Sequence, residues 1–316
     1  MQPPEIRASQ ASKTDERPFD LVIAASADAA YIWPATLALV SAGITTSRVR
    51  LLCLLFTDAL SDELVAKAAN VFARQSVPFE HVAGDFNVYD RLPLGSHFSR
   101  AAYGRLAIPE VARHFAPRTL YLDADTLAIG DLEPLARARL ECTVAAVQSR
   151  VIPTCGSPGG VRDWQRRGLD GAAPFFNSGV LLIDNDTWAA QEISKTVLSE
   201  LERAPQMATF ADQGILNAVL YGRWAQLSPV WNHEVTPTPG VRIGHVIATR
   251  RSHFSIRETS ILHFVAGVKP WQSNYPPGYL RSLYRRRWRS LIPVVLPTAE
   301  GYRHWTKRRV ARGSHY

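Results

Sequence analysis

The chain has 316 residues, of which 46% are hydrophobic, and a formal net charge of +8. This length accommodates one large domain or two small ones, and the hydrophobic share is sufficient for a buried core. The sequence contains no apolar run long enough to span a membrane, and residues 1–18 lack the hydrophobic centre of a signal peptide. We therefore expect a globular cytoplasmic protein with a disordered segment at residues 1–18.

Apolar runs of strand length alternate with helical patterns along residues 19–280, which predicts one α/β domain with a largely parallel sheet. The predicted strands are 20–25, 49–56, 79–82, 120–122, 143–147, 179–183 and 261–264. The predicted helices are 29–41, 62–75, 99–108, 188–203 and 213–221. Two segments rich in Pro, Gly and Arg, 151–171 and 236–251, are expected to be functional lids or mobile loops.

Two aspartates, Asp123 and Asp125, follow the strand predicted at 120–122. Because a strand projects alternate side chains to the same side, both carboxylates can converge where the strand leaves the core. Two oxygen ligands at one place favour Mg²⁺ or Mn²⁺ bound together with a diphosphate. The alternative is a solvated turn, since Asp is a common turn residue. Ligands of open α/β sheets bind beyond the carboxyl ends of strands, where this pair is predicted to lie.

Three further segments place polar residues at the ends of predicted elements. Asn177 and Ser178 precede an apolar run that begins with glycine, although a β-bulge with a structural Asn fits this pattern equally well. Asp212 precedes a helical pattern, where a helix N-cap is the default explanation. His263 lies in a predicted strand and Lys269 in the loop after it. Each of these two residues, taken alone, also fits an ordinary structural or surface position.

The positive charge is concentrated in residues 281–316, which contain nine Arg and one Lys but only one acidic residue. This tail has a net charge of +9, which leaves −1 for residues 1–280. Its aromatic residues, among them Trp288, Tyr302 and Trp305, are interleaved with the cations. Such a composition favours a segment lying on an anionic membrane, where each cation contributes about 1 kcal/mol. A nucleic-acid-binding arm and a solvated tail have similar compositions, but the membrane surface is preferred and no nucleic acid partner is expected.

Five motifs, taken in order, resemble those of glycosyltransferase family 8. They are YGRLAIP at 103–109, LYLDAD at 120–125, FNSGVLLI at 176–183, DQGILN at 212–217, and His263 with KPW at 269–271. The resemblance extends from about residue 22 to residue 271. It implies a GT-A-type fold, which is a single nucleotide-sugar-binding domain with a mixed sheet. The chain is most similar to the bacterial branch that adds hexoses to lipopolysaccharide, whose members end in basic, aromatic, membrane-associating segments.

The resemblance also implies a metal centre and a leaving-group contact. Asp123, Asp125 and His263 would ligate Mn²⁺, or Mg²⁺, between the two phosphates of a UDP-sugar. Lys269 would stabilise the charge that develops on the departing UDP. The implied reaction is transfer of galactose or glucose, with retention of configuration, to a saccharide acceptor. That acceptor would be lipopolysaccharide or another lipid-linked glycan at the inner face of the cell membrane.

Other matched residues are expected to contact the two substrates. Arg105 would bind the donor sugar or its phosphate, and Asn177 and Ser178 would belong to the substrate-binding surface. Asp212 and Gln213 would line the face where donor and acceptor meet. One of these two would lie beside the anomeric carbon, either as a nucleophile or as a stabiliser of an oxocarbenium-like transition state.

Two departures from the family pattern concern the nucleotide and the phosphates. The segment after the first strand is alanine-rich, which leaves Ser26 and Asp28 as polar contacts for the base and Tyr31 as a core residue. Ala266 stands where the family usually has Gly, and Gly267 is displaced by one position. A backbone N–H could still reach a phosphate at Ala266 or Gly267, although a positive φ at Ala266 would be costly.

Two other classes of protein share part of this pattern. A haloacid-dehalogenase-like phosphatase also has an Asp-x-Asp pair after a strand, but it normally has a small hydroxyl residue or valine where this chain has Leu127. A non-catalytic membrane or nucleic-acid adaptor would bind through the cationic tail, and in such a protein the Asp pair would only be part of a turn. The adaptor hypothesis leaves the segment with His263 and Lys269 unexplained.

Overall fold

The structure is a computed structural model that describes residues 17–46, 48–58, 60–93, 99–208, 212–237, 242–243, 246–247 and 258–292. The strands are β1 (Leu21–Ala27), β2 (Leu51–Thr57), β3 (Phe79–Ala83), β4 (Arg118–Leu122), β5 (Thr126–Ala128), β6 (Val144–Gln148), β7 (Phe176–Asp184), β8 (Trp224–Leu227), β9 (His233–Glu234), β10 (Arg242–Ile243), β11 (Val246–Ile247) and β12 (Ile261–His263). The helices are α1 (Ile32–Ile44), α2 (Asp62–Arg74), α3 (Gly104–Ala112), α4 (Glu133–Ala136), α5 (Asn185–Ala190), α6 (Ile193–Arg203), α7 (Gln213–Val219) and α8 (Tyr279–Leu291).

Seven strands form the central sheet in the order β3-β2-β1-β4-β7-β6-β8. Within the described part of this sheet, β7 runs antiparallel to its neighbours β4 and β6, and the remaining neighbouring pairs are parallel. The sheet is therefore mixed and largely parallel, as predicted. A second sheet, β5-β12-β9, begins where the chain leaves β4. Within the predicted loop 236–251, residues 242–243 and 246–247 pair as β10 and β11. Residues 236–237 follow β9, and the remaining residues of this loop lie outside the described residues.

The two faces of the central sheet are covered by different helices. Alternate residues of β1 point to opposite sides, so Leu21 and Ile23 pack with α1 and α8, while Val22 and Ala24 pack against α3. The apolar strand runs of the sequence are continuous because both faces of the sheet are buried. The carboxyl ends of β1 and β4 are left open to a cleft, and this opening positions the candidate site.

Two predicted helices differ from the observed ones. The predicted helix 188–203 is divided into α5 and α6, because Glu192 has a left-handed backbone with φ of +49°. Sequence patterns do not signal this break, since left-handed Glu is uncommon. The predicted helix 99–108 begins as a 3₁₀ turn at Arg100–Tyr103 and continues as α3 to Ala112. Pro109 lies inside α3 and does not end it, although proline removes one backbone donor and crowds the carbonyl of residue 105.

The start of the basic tail is part of the folded domain. The predicted boundary between residues 280 and 281 lies inside α8, whose inner face contributes Leu283, Tyr284 and Trp288 to the core. Trp288 is 2% exposed, so its predicted place among the membrane-facing aromatics is wrong. Tyr302 and Trp305 lie outside the described residues, as do residues 1–16 of the predicted N-terminal segment.

Among the described helices, none combines the length and the apolar character that crossing a bilayer would require.

Candidate active site

Asp123 and Asp125 lie in the turn that joins β4 to β5. The turn is closed by Thr126, whose backbone N–H and hydroxyl donate to the carbonyl of Asp123 at 3.1 and 2.8 Å. The backbone N–H of Asp123 donates to the carbonyl of Gly179 on β7 at 2.8 Å. The two carboxylates therefore project from a fixed turn at the open end of the central sheet. The solvated-turn alternative describes the backbone correctly, but it does not account for the side chains that meet there.

His263 reaches the Asp pair because β12 pairs with β5, which places His263 opposite Thr126. Its Nε2 lies 3.2 Å from Asp125 Oδ1 and 3.8 Å from Asp123 Oδ2. Asp123, Asp125 and His263 each offer one ligand atom, and these atoms lie within 4.8 Å of one another. Two carboxylate oxygens and one imidazole nitrogen form a donor set suited to Mn²⁺ or Mg²⁺.

Gly179 closes the back of this cluster. A Cβ atom at position 179 would lie 2.1 Å from Cε1 of His263 and 2.6 Å from Oδ2 of Asp123. Either contact is far inside van der Waals distance, so only glycine fits there without moving a candidate ligand. The space that a side chain would fill is occupied by the edge of the metal-ligand cluster itself. This geometry fits a three-residue metal centre.

Arg105 connects the cluster with the interior of the domain. Its side chain is 7% exposed, and its guanidinium donates to Asp123 Oδ1 at 3.0 Å and to the Ser178 carbonyl at 2.6 Å. The Nε atom lies 3.1 Å from Asp212 Oδ2. The guanidinium also lies over the ring of Tyr121, at 4.8 Å from the ring centroid. Protein groups alone, namely two carboxylates and one aromatic face, thus fix the position of the Arg105 guanidinium.

Lys269 provides a second cation at the same place. Its Nζ donates to Asp125 Oδ2 at 2.5 Å and to the Phe264 carbonyl at 2.8 Å. The loop that carries Lys269 is held from behind by α8, because Arg285 donates to the Pro270 carbonyl at 3.4 Å. The ammonium therefore lies beside the candidate metal ligands, on the cleft side of the loop.

The charges of these groups follow from their surroundings. Burial opposes ionisation of Asp125, but Lys269 and His263 outweigh it, so the pKa of Asp125 lies well below its ordinary value. Burial lowers the pKa of His263, but Asp125 and Asp123 outweigh it and the pKa is raised. Burial likewise opposes the charge of Arg105, whereas Asp123 and Asp212 favour it more strongly, so its pKa is raised. The site therefore balances buried carboxylates against buried cations.

Asp212 is an exception to this balance. It is 0% exposed, and burial raises its pKa to about 6 although Arg105 acts in the opposite direction. Among the described residues, neither carboxylate oxygen receives a well-aligned hydrogen bond, in spite of the 3.1 Å contact with Arg105. Asp212 does occupy the N-cap position of α7, but its side chain makes no capping hydrogen bond, so capping does not explain this carboxylate.

The cleft beside the cluster has a volume of about 140 Å³. The predicted residues Ser26, Arg105, Asp123, Asp125 and Lys269 all line it. A larger cavity of about 480 Å³ lies at the opposite ends of β1–β3 and contains none of the predicted site residues. We assign function to the smaller cleft because it contains the charged groups.

The residues expected to bind the base occupy different environments. Ser26 lines the cleft, but Asp28 does not, and its Oδ1 instead accepts the backbone N–H groups of Ala30 and Tyr31 at 2.8 and 3.2 Å. Tyr31 also lines the cleft and packs edge-on against Trp271 at 5.8 Å between centroids. Tyr31 therefore combines core packing with a position at the cleft wall.

Three polar residues of β7 and α7 lie behind the cleft rather than along it. Asn177, Ser178 and Gln213 are 8%, 3% and 7% exposed. Gln213 Oε1 accepts from the backbone N–H of Ser178 at 2.9 Å. None of the three is among the residues that line the cleft in the described structure.

The backbone at Ala266 and Gly267 shows whether the replacement of the family's glycine by Ala266 causes strain. Ala266 is buried and is not among the described residues with positive φ, so the replacement of glycine imposes no backbone strain there. Gly267 is exposed, and a Cβ atom added to it would have no neighbour within 4 Å. Neither position requires a glycine conformation.

Three functional neighbours were not predicted from the sequence. Tyr121 lies in the strand that leads to the Asp pair, and its hydroxyl donates to Asp123 Oδ1 at 2.9 Å. Burial raises the pKa of Tyr121 well above its ordinary value, which keeps this donor protonated.

Asn232 and Glu234 lie behind His263. The polar run Asn-His-Glu at 232–234 between apolar residues was the available signal for them.

Comparison with known proteins decides the family. The sequence profile of glycosyl transferase family 8 matches residues 22–275 of this chain. The chain belongs to glycosyltransferase family 8. As a member of that family it is a glycosyltransferase, and the phosphatase and adaptor alternatives are wrong.

Proteins similar to this chain include General stress protein A of Bacillus subtilis (strain 168), which is 29% identical over 224 residues, covering 68% of this chain and 76% of that protein. Lipopolysaccharide glucosyltransferase WaaO of Escherichia coli (strain K12) is 27% identical over 197 residues, covering 58% of this chain and 54% of that protein. The chain thus spans only about half the length of some curated relatives that it matches.

A crystal structure of the galactosyltransferase LgtC in complex with donor and acceptor sugar analogs has the same fold. It superposes with a TM-score of 0.69 at 20% sequence identity, covering 87% of this chain and 97% of that chain. The GT-A-type fold predicted for this family 8 glycosyltransferase is therefore confirmed.

Proposed function

We propose that the protein transfers galactose or glucose from a UDP-sugar to a saccharide acceptor, with retention of configuration and with Mn²⁺ or Mg²⁺ bound. The observation that carries the proposal is the convergence of Asp123, Asp125 and His263 at the mouth of the cleft. Lys269 and Arg105 bring two cations to the same place. An anionic diphosphate is the ligand that such a combination suits.

The metal centre would be held by Asp123, Asp125 and His263. The donor set and the exclusion of a side chain at Gly179 both support this assignment. When bound, a divalent cation supplies positive charge that stabilises the diphosphate oxygens as the bond to the anomeric carbon breaks. Tyr121 and Arg105 hold Asp123 by hydrogen bonds, so this ligand is oriented in advance.

Lys269 would act on the leaving group. Its ammonium lies at the edge of the cleft, and its loop is fixed by α8. Charge on the diphosphate increases as the glycosidic bond breaks, and an ammonium at this position gains more from the transition state than from the ground state. Backbone N–H groups of Ala266 and Gly267 belong to the same loop and would contact a phosphate.

Arg105, Asp212 and Gln213 would form the part of the site nearest to the anomeric carbon of the donor. Arg105 would position the donor sugar or its phosphate from the cleft wall. Asp212 is held near Arg105, and Gln213 is the next residue along the chain. From behind the cleft lining, where both are buried, Asp212 or Gln213 would stabilise the developing positive charge of the sugar. Asn177 and Ser178 would support this face from behind.

The nucleotide would lie at the carboxyl end of β1. Ser26 and Tyr31 line the cleft there, so they are the proposed neighbours of the uracil. Asp28 would act indirectly, because it shapes the turn that carries Tyr31.

The acceptor is proposed to be lipid-linked, at the inner face of the cell membrane. The outer face of α8 exposes Arg286 and Arg289, and residues 293–316 add four Arg and one Lys. Cations at this density are attracted to anionic headgroups by about 1 kcal/mol each. A relative whose name is lipopolysaccharide glucosyltransferase supports an acceptor of the same class.

The first experiment is a panel of UDP-sugars assayed by UDP release, with Mn²⁺, with Mg²⁺ and with EDTA. We expect metal-dependent release from UDP-galactose or UDP-glucose. Asp125→Asn should abolish this activity because it removes a ligand charge, while Asp186→Asn, a change at an exposed carboxylate, should not. Full activity of Asp125→Asn, or of the wild-type protein in EDTA, would contradict the metal assignment.

A further inference from the structure

A buried chain of polar side chains runs behind the candidate metal centre, from Glu234 to His263. Asn177 Nδ2 donates to Glu234 Oε1 at 3.0 Å. Asn232 Nδ2 donates to Asn177 Oδ1 at 2.9 Å, and Asn232 Oδ1 lies 3.0 Å from His263 Nδ1. All four residues are less than 9% exposed. Buried polar groups of this kind must satisfy one another, because water does not reach them.

The amide of Asn177 has only one orientation that satisfies its neighbours. The backbone N–H of Gly179, which can only donate, lies 2.9 Å from Asn177 Oδ1. The carboxylate of Glu234, which accepts when ionised, lies at the other end of the same amide. Rotating the amide by half a turn would place a donor against a donor and an acceptor against an acceptor.

The orientation of the Asn177 amide determines the orientation of the Asn232 amide, which in turn determines which ring nitrogen of His263 carries a proton. Because Asn177 presents its oxygen, the group of Asn232 that faces it must be the NH₂. The carbonyl oxygen of Asn232 is therefore the atom that faces His263 Nδ1, so Nδ1 must carry a proton. The other ring nitrogen, Nε2, is the one directed at Asp123 and Asp125. A ligating histidine needs this arrangement, with a proton on the outer nitrogen and a lone pair toward the metal.

Glu234 is a rigid anchor for the chain. Its carboxylate also accepts from the Ser149 hydroxyl at 2.8 Å and from the backbone N–H groups of Arg150 and Val151 at 2.6 and 3.1 Å. These bonds tie β9 to the residues that follow β6. The orientation of Asn177 is thus set by two separate parts of the backbone, at Gly179 and at residues 149–151.

We infer that Asn232 is a positioning residue of the metal centre, which holds His263 with Nδ1 protonated and Nε2 directed at the metal through the chain Glu234–Asn177–Asn232. The inference rests on the proposed function, since it assigns His263 as a ligand. Asn232 itself touches neither substrate nor metal in this account. It acts through the ring of His263.

The test compares two substitutions at position 232, one of which keeps an acceptor for His263 Nδ1 and one of which does not. Asn232→Leu and Asn232→Asp both remove the donor toward Asn177, but only Asp keeps an oxygen that can accept from His263 Nδ1. Asn185→Leu is the matched control, because Asn185 is a buried Asn whose amide donates to the Ala116 carbonyl, away from the cleft. Mn²⁺ affinity is measured from the EPR signal of free Mn²⁺, alone and with saturating UDP, and unfolding temperatures are recorded in EDTA.

We expect Asn232→Leu to bind Mn²⁺ about 10- to 100-fold more weakly than the wild type, as is typical when the partner of a ligating histidine is lost. Asn232→Asp should bind more tightly than Asn232→Leu, and Asn185→Leu should bind like the wild type even if it unfolds earlier. Wild-type affinity in Asn232→Leu, or equal affinities of the Leu and Asp variants, would overturn the inference alone. Absence of Mn²⁺ binding to the wild type would overturn the proposed metal centre as well.

A second measurement needs no variant at position 232 and therefore holds if Asn232→Leu does not fold. Long-range ¹H–¹⁵N NMR of the wild type with Mg²⁺ and UDP reports which ring nitrogen of each histidine carries the proton, and His263→Gln identifies the signal. We expect the proton of His263 on Nδ1. A proton on Nε2 would overturn the inference together with the assignment of His263 as a metal ligand, whereas the Asn232 variants test the inference alone.

Discussion

The ammonium of Lys269 donates a hydrogen bond to Asp125 Oδ2 at 2.5 Å. A cation from the loop after β12 thus directly contacts a carboxylate of the β4–β5 turn. The contact joins the second of the five family motifs, which contains Asp125, to the last one, which contains Lys269. It also holds the ammonium beside the candidate metal ligands at the cleft, which is the site proposed for a diphosphate. The role proposed for Lys269 depends on this position.

Lys269→Ala should lower kcat strongly and raise the KM for the donor only slightly. The leaving diphosphate gains charge in the transition state, and loss of one donor to such charge typically costs about 3 kcal/mol, or roughly 100-fold in kcat. Steady-state kinetics with varied UDP-sugar measure both constants. Lys67→Ala, which removes an exposed ammonium paired with Glu63, is the control. An unchanged kcat with a raised KM would instead indicate uniform ground-state binding.

Gly179→Ala should damage the metal centre while leaving the domain folded. The added methyl group would lie 2.1 Å from His263 Cε1, and the imidazole ring must move to accommodate it. We expect weaker Mn²⁺ binding and a large loss of UDP release. Gly43→Ala is a matched overpacking control away from the cleft, with its nearest contact at 2.7 Å to Val77 Cγ1. If both variants lost stability equally and kept Mn²⁺ affinity, the tight fit at Gly179 would have no role in metal binding.

Asp212 should make the protein less stable as pH rises toward neutrality. Its folded-state pKa is raised to about 6 by burial, so the folded protein holds the proton more tightly than the unfolded chain does. This contribution to stability is present below the unfolded pKa and is lost as pH rises through the folded pKa. Relative to the unfolded value of about 3.9, the shift corresponds to about 3 kcal/mol.

Urea unfolding of the wild type and of Asp212→Asn in EDTA, at several pH values from 4.5 to 7.5, measures the effect. The stability of the wild type relative to Asp212→Asn should decrease across this range, because only the wild type must ionise a buried carboxyl group. A difference between the two proteins that does not change with pH would mean that Arg105 fully compensates the charge of Asp212.

Truncation after Ile292 should weaken membrane binding without loss of catalysis. The cut retains α8, whose Leu283, Tyr284 and Trp288 belong to the core, whereas a cut after Leu280 would expose that core. It removes five cations. We expect unchanged UDP release with a soluble acceptor, and reduced sedimentation with anionic liposomes.

High salt should weaken liposome binding of the full-length protein by screening the charges, and the remaining binding should reflect the aromatic residues. Charge reversal of the exposed Arg286 and Arg289 measures the share that α8 contributes. Liposome binding that is unchanged in both variants, or tighter binding of the full-length protein to duplex DNA, would contradict the membrane proposal.

Local patterns in the sequence were sufficient to predict the order of most elements and the place of the Asp pair. Apolar runs of strand length mark β1, β2, β4 and β7, and a strand that ends in Asp-x-Asp directs both carboxylates to one side. These features depend on neighbouring residues only. The family motifs added His263 and Lys269, which their own surroundings in the sequence did not distinguish from structural residues.

Other properties are decided by contacts between distant segments. The pairing of β12 with β5 brings His263 to the Asp pair, and the packing of α8 on the core buries Trp288, which its basic neighbours had suggested to be exposed. The orientation of His263 depends on Asn232, and through it on Asn177 and Glu234. A hydrogen-bond network of this kind has no sequence period, because its members come from separate strands and loops. Only the tertiary structure therefore determines which nitrogen of His263 faces Asp123 and Asp125.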